Sequence, residues 1–254
     1  SREQAEAAAE VVAASDAVFI KGGDQGEYYD LWNNTALETA IIAVSAAGGG
    51  VGGTSAGAMA LAEYTFAGGE DLISADVLAD AQTPYLDDAS TGGSGVHDDF
   101  LALVPAVVVD THFTQRARLG RLAGILARVA DESAPPGLLG IGIEERTGIV
   151  VLNDGASVLG DGSVTFLLPD ADHEPIRERG QPLVWANIKL DRLTHGWEYD
   201  LAARAVNVDW PPDGTDLTTY IGTASPPDAN WKVDGNVAEH EERFDTVVKR
   251  APQS

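Results

Sequence analysis

The sequence predicts an α/β protein built on a doubly wound, mostly parallel sheet, and three observations carry that prediction. Short β-branched apolar runs recur at Ala17–Ile20, Ala106–Asp110 and Gly140–Ile143. Between them lie apolar residues at helical spacing: Leu37, Ala40, Ile41, Val44 and Ala47, then Leu119, Leu122, Leu126 and Val129. The runs end on glycines or polar residues, as buried parallel strands do where they meet functional loops. Such alternation builds βαβ units whose loops gather at the C-terminal ends of the strands.

In chain order, Ser1 to about Ala14 is rich in Ala and Glu, with Ala5, Ala9, Val12 and Ala13 at helical period, and reads as an amphipathic helix. Ala17–Ile20 is a strand stopped by Gly22-Gly23. Thr35-Ala36-Leu37-Glu38 has capping-box form and opens a helix over 36–47, which Gly48-Gly49-Gly50 ends. Val51–Thr54 is a short strand that turns at Ser55 into a helix over 56–62. Residues 80–99, polar and rich in Gly, Ser and Asp, read as a long surface loop. The strand Ala106–Asp110 leads to a helix from about Gln115. Strands at Gly140–Ile143 and Gly148–Leu152 follow, then a hairpin over 158–168 turned by Asp161-Gly162. The tail from about Pro182 carries mixed structure. No repeat or linker divides the chain, so residues 1–254 read as one domain, long enough to bury a substantial core.

A formal net charge of -24 argues against non-specific binding to nucleic acid or anionic membranes, both of which want a basic surface. Lysine occurs only at Lys21, Lys189, Lys232 and Lys249, a balance that keeps a chain hydrated where ions are concentrated. Without cysteine there is no disulfide, no thiolate metal site and no cysteine nucleophile. No apolar run reaches bilayer length, and the chain opens on Ser1-Arg2-Glu3 rather than on a signal core. The expectation is a soluble chain, the cytoplasm favoured over secretion, with no metal or cofactor; a homodimer is left open.

The chemistry concentrates at Gly52-Gly53-Thr54-Ser55-Ala56-Gly57-Ala58, which contains G-x-S-x-G. Flanking glycines allow a sharp strand-to-helix turn that pushes a serine oxygen out of the sheet, and the next N–H, from Ala56, would face a developing oxyanion. An ordinary glycine-rich turn can also carry this pattern in a chain with 28 glycines. A serine nucleophile needs a base, and the base an orienting acid. Of five histidines only His112 directly follows an apolar strand of the same sheet, although a lone histidine is often a surface or structural residue. Glu144-Glu145 end the run Leu138–Ile143 and bring one carboxylate to the same edge.

These residues resemble the cyanophycinases and their relatives, the aspartyl dipeptidase-like serine peptidases. The likeness rests on FIKGGDQ (19–25), GGTSAGA (52–58), DTHFTQRARLGRL (110–122), GIGIEERTGIV (140–150) and, more weakly, LTHGWEYDL (193–201), in the family's order. It implies a three-layer α/β sandwich related to class I glutaminase domains. It also implies Ser55 as nucleophile at an elbow after a central strand, His112 as base and then acid, Glu145 as its orienting acid, and Gly23 and Ala56 as oxyanion donors. Gln25, Asp110, Thr111, Arg116, Arg118 and Arg121 would line a pocket for an aspartyl peptide. The reaction would be hydrolysis through an acyl-enzyme, releasing β-aspartyl-arginine dipeptides from cyanophycin. Guanidinium groups suit such a substrate because they bind carboxylates bidentately, though Arg118 and Arg121 would equally suit a solvated helix face.

The chain departs from the family's pattern in three places. Thr111 stands where glutamine is common, Glu144 where aspartate is usual, and the family's N-terminal strand is expected to be lacking. An α/β-hydrolase esterase using Ser55, Asp161 and His195 is the competing enzyme class. An inactive binding relative is the reading outside catalysis.

Overall fold

The structure, a computed structural model, describes residues 2–68, 72–88, 93–133 and 135–207. Helix α1 (Arg2–Ala13) leads to strand β1 (Ala17–Ile20), helices α2 (Gln25–Trp32) and α3 (Ala36–Ala46), strand β2 (Gly50–Gly53) and the short helix α4 (Ala56–Met59). Next come β3 (Ala62–Phe66), α5 (Ser74–Ala79), β4 (Val96–His97), β5 (Val104–Thr111), α6 (Leu119–Glu132) and β6 (Leu139–Ile143). The later elements among the described residues are strands: β7 (Thr147–Leu152), β8 (Gly155–Gly160), β9 (Ser163–Pro169), β10 (Ile188–Thr194), β11 (Glu198–Asp200) and β12 (Ala205–Val206).

Among the described residues the strands form three sheets, of order β1-β2, β10-β9-β6-β5-β3-β4 and β12-β11-β8-β7. This is mixed α/β, and it corrects the expected mostly parallel, doubly wound sheet. Among the described residues only β1-β2, β3-β5 and β5-β6 pair in parallel. After β6 no helix crosses over among the described residues, and the pairs β6-β9, β9-β10, β7-β8, β8-β11 and β11-β12 are all antiparallel. Among the described residues the strand before Ser55, β2, is paired with β1 alone.

Alternation along β5 sets the layers. Val107 and Val109 pack with Ile141, Val158, Phe166 and Tyr199 toward the four-stranded sheet. Val108 faces the other way and meets Leu122, Ile125, Leu126 and Val129 of α6. One face of β5 and β6 thus carries helix and the other carries sheet. A third cluster joins Ala5 and Ala9 of α1 to Leu37 and Ile41 of α3 and to Ile20 of β1.

Several local expectations are revised. Asp161-Gly162 does not turn a hairpin: β8 pairs with β7 and β11, whereas β9 pairs with β6 and β10, so this turn passes the chain between sheets. The helix after Ser55 stops at Met59, because β3 starts at Ala62 to pair with β5. The helix expected from Gln115 starts at Leu119, after a looped segment in which Ala117 has φ 49°. The loop over 80–99 contains a 3₁₀ turn at Pro84–Leu86 and the strand β4. The capping box at Thr35 is incomplete, since the Glu38 carboxylate accepts the N–H of Asn34 instead. Helix α2, unforeseen, is capped by Asp24, whose side chain accepts from Gly26 and Glu27 N–H. The part of the tail beyond 207 lies outside the described residues.

Candidate active site

Ser55 sits between β2 and α4 with φ 53° and ψ -127°, a backbone conformation unusual for a residue with a side chain and commonest where function demands it. The flanking glycines make the turn sterically feasible. A Cβ on Gly53 would overlap the backbone of Gly57, and one on Gly57 would overlap the carbonyl of Ile20. Strand, turn and helix therefore close on each other with no room for side chains at either glycine. Thr54 N–H donates to the Ile20 carbonyl at 3.0 Å, tying the turn to the end of β1.

The loops after β5 and β6 converge on this serine. His112 follows β5 directly, with φ 50°, and its Nε2 lies 2.9 Å from Ser55 Oγ. Its Nδ1 lies 2.9 Å from Glu145 Oε1. Hydroxyl, imidazole and carboxylate thus form one hydrogen-bonded chain. With Nδ1–H donating to the carboxylate, Nε2 is left as an acceptor for the serine proton. Glu144 turns the other way, to Thr114, Ser163 and Arg192. His195 accepts the N–H of Gly160, and Asp161 pairs with Arg146, so neither member of the esterase alternative engages Ser55.

Gly22 backs onto the serine, a Cβ there coming 3.0 Å from Ser55 Cβ, which brings the 22–23 turn against the site. The N–H groups of Gly23 and Ala56 have no hydrogen-bond partner among the described residues. A cleft of about 850 Å³ opens beside the chain of three, with Ser55, His112 and Glu145 in its wall and Phe19, Val109 and Ile149 farther along. Thr111 also lines it, its hydroxyl buried without a hydrogen-bond partner among the described residues.

The expected pocket residues divide. Asp110 is fully buried, and both its oxygens are occupied: Arg121 Nε and Nη2 reach it at 2.9 and 2.6 Å, and Arg118 Nη1 at 3.1 Å. Arg121 is also buried. Asp110 and Arg121, expected to line the pocket, thus pair with each other in the interior, and neither is in the wall of the cleft beside Ser55. Arg118, partly exposed, also donates to the Thr111 carbonyl at 2.7 Å. Burial pushes its guanidinium down to about 10, with Asp110 opposing and Arg121 and Arg116 adding to the fall, so it stays charged at neutral pH. Arg116 is exposed. Gln25 gives its amide N–H to the Phe66 carbonyl at 2.9 Å, leaving its own carbonyl oxygen as the free end.

Residues 1–159, the stretch that contains Ser55, His112 and Glu145, match the model of peptidase family S51. The chain belongs to peptidase family S51. Across 216 residues it is 36% identical to the cyanophycinase of a Nostoc species, covering 81% of this chain and 64% of that protein. It is 34% identical over 197 residues to the cyanophycinase of Synechococcus elongatus, covering 74% of this chain and 54% of the relative. A third relative, the cyanophycinase of Geminocystis herdmanii, is 32% identical over 197 residues, covering 75% and 64%. The chain thus spans just under two thirds of the length of the first of these S51 relatives.

Sequence reasoning missed Arg192, which stands on β10 and reaches Glu144, and Phe19, whose ring walls the cleft. Arg192 belongs to no motif. Its only sequence signal is a pair of charges, Asp191-Arg192, between the apolar residues Leu190 and Leu193 in a strand.

Proposed function

We propose that this S51 chain is a serine peptidase that hydrolyses aspartyl peptide bonds through an acyl-enzyme at Ser55. The observation that carries the proposal is the unbroken chain Ser55 Oγ, His112 and Glu145, with both links at 2.9 Å. The turn at Ser55 then acts as a nucleophile elbow. Ser55 Oγ attacks the scissile carbonyl carbon as His112 Nε2 takes its proton, and Glu145 stabilises the imidazolium that forms. The developing oxyanion falls to the N–H groups of Gly23 and Ala56. His112 returns its proton to the leaving amine, the C–N bond breaks, and water repeats the sequence on the ester.

For the substrate, the 36% identity to a cyanophycinase and the guanidinium groups that follow His112, Arg116 exposed and Arg118 partly buried, favour aspartyl-linked peptides, above all cyanophycin, with β-aspartyl-arginine dipeptides as product. Arg116 and Arg118 are the candidates to hold substrate carboxylates, each charged hydrogen bond contributing about 1.5 to 3 kcal/mol. Thr111 is the candidate neutral donor. Mass-spectrometric product analysis on cyanophycin, isoaspartyl dipeptides, α-peptides and simple esters tests this, with Ser55→Ala as control. The expected result is cleavage of aspartyl-linked substrates first, with a loss of roughly 10⁴-fold or more in the control. No aspartyl-linked cleavage by an enzyme that still cuts esters at Ser55 would remove the substrate assignment and leave the serine-hydrolase one.

A further inference from the structure

The mechanism above uses Glu145 and leaves Glu144 aside, yet Glu144 is the more firmly held of the two. Its side chain is 12% exposed, against 49% for Glu145. Glu144 Oε1 accepts the Thr114 hydroxyl at 2.7 Å and pairs with Arg192, while Oε2 accepts the Ser163 N–H at 2.7 Å. Arg192, whose side chain is 1% exposed, donates also to Thr114 Oγ1 at 2.9 Å and to Ser163 Oγ. Burying such a pair is a poor route to stability. Desolvation of both charges offsets their attraction, and apolar side chains of like volume often serve as well or better.

What the pair fixes is geometry. Thr114 stands two residues after His112, Glu144 stands next to Glu145, and both loops are fastened to the strands β9 and β10 through Ser163 and Arg192. Two more bonds run between the same loops, Phe113 N–H to the Ile143 carbonyl and Glu145 N–H to Gln115 Oε1, each at 3.2 Å. The exposed Glu145 side chain would otherwise sample several rotamers, so its bond to His112 depends on where the backbone at 144–145 is held.

We infer that the Arg192–Glu144 pair is a positioning device for the reaction, locking the loops after β5 and β6 together so that Glu145 stays in register with His112. The inference rests on the reading of Ser55, His112 and Glu145 as a catalytic unit. Neither Glu144 nor Arg192 touches substrate in it. Replacing the pair by apolar residues of similar size, Glu144→Leu with Arg192→Met, removes the clamp without leaving a buried charge unpaired. A gentler variant, Thr114→Val, keeps the ion pair and cuts only its tie to the His112 loop.

The test reads the downfield proton resonance of His112 Nδ1–H, assigned by its loss in Glu145→Gln, alongside steady-state kinetics. In a folded double variant the resonance should vanish or broaden, and kcat should fall about 10- to 100-fold with KM changed less than about twofold, as for a misplaced catalytic group. Should the double variant not fold, Thr114→Val carries the same two readouts. A resonance that persists in a folded variant overturns the inference. Because the resonance reports on His112 and Glu145 whether or not Ser55 is the nucleophile, an active Ser55→Ala would sink the triad while this geometric claim is still decided.

Discussion

Asp110 marks the line between a residue that binds substrate and one that holds the site in place. The motif DTHF puts it two residues before His112, which suits either role, and sequence alone has no access to burial. Fully enclosed and held by Arg121 and Arg118, it anchors the end of β5 from inside. Asp110→Ala should therefore act first on stability, lowering the unfolding free energy by about 3 to 5 kcal/mol because two guanidinium groups lose their buried partner. Urea denaturation measures this, and an unchanged midpoint with a raised KM would return Asp110 to the substrate. Ser55 and His112 make the contrasting case. His112→Ala should be about as damaging as Ser55→Ala, and the double variant hardly worse than either, since residues acting as one unit are non-additive. Losses that multiply in the double variant would separate the two side chains. G-x-S-x-G was legible because its chemistry is local. The choice between Glu144 and Glu145 was not, because neighbouring residues on a turn differ only in direction, and the partner that draws Glu144 away, Arg192, lies on another strand.

Among the elements, the turn at Ser55 depends most sharply on single atoms. Gly57 has no space for a Cβ against the Ile20 carbonyl. Gly57→Ala should cost about 1 to 3 kcal/mol by overpacking and displace Ser55 from His112. Thermal unfolding and kcat should fall together, and a variant with full activity and unchanged Tm would show that the turn is looser than described. The elements legible in the sequence were those with strong period and firm stops: α1, α3, β1, β5 and β6 all lie within a few residues of where the apolar pattern puts them. Helix α2 escaped notice because none of its residues is fully buried, and its short apolar side, Tyr28, Tyr29 and Trp32, is only partly covered by the third cluster. The hairpin placed at Asp161-Gly162 failed for a different reason. Turn residues report a reversal of the chain, but not which strand is waiting on the other side, and β7 already occupies the edge of β8.

At the scale of the molecule, alternation of strand and helix suggested one parallel sheet, and the fold up to β6 keeps that logic in β3, β5 and β6. What the pattern could not convey is that β7, β8, β11 and β12 fold back as an antiparallel layer over the face of β5 opposite α6, while β9 and β10 extend the sheet of β5 and β6 in antiparallel sense. Both additions matter for the site: β7 begins two residues after Glu145 and forms one wall of the cleft, and β10 supplies Arg192. The site is thus assembled from the ends of β2, β5 and β6 and braced by strands far along the chain. The central claim is that this assembly activates Ser55. Treatment with a fluorophosphonate, followed by intact mass and peptide mapping, tests it most directly. One adduct on Ser55, abolished in Ser55→Ala and strongly slowed in His112→Ala, is the predicted result. A folded protein that takes no label at Ser55, or labels equally fast without His112, would contradict it.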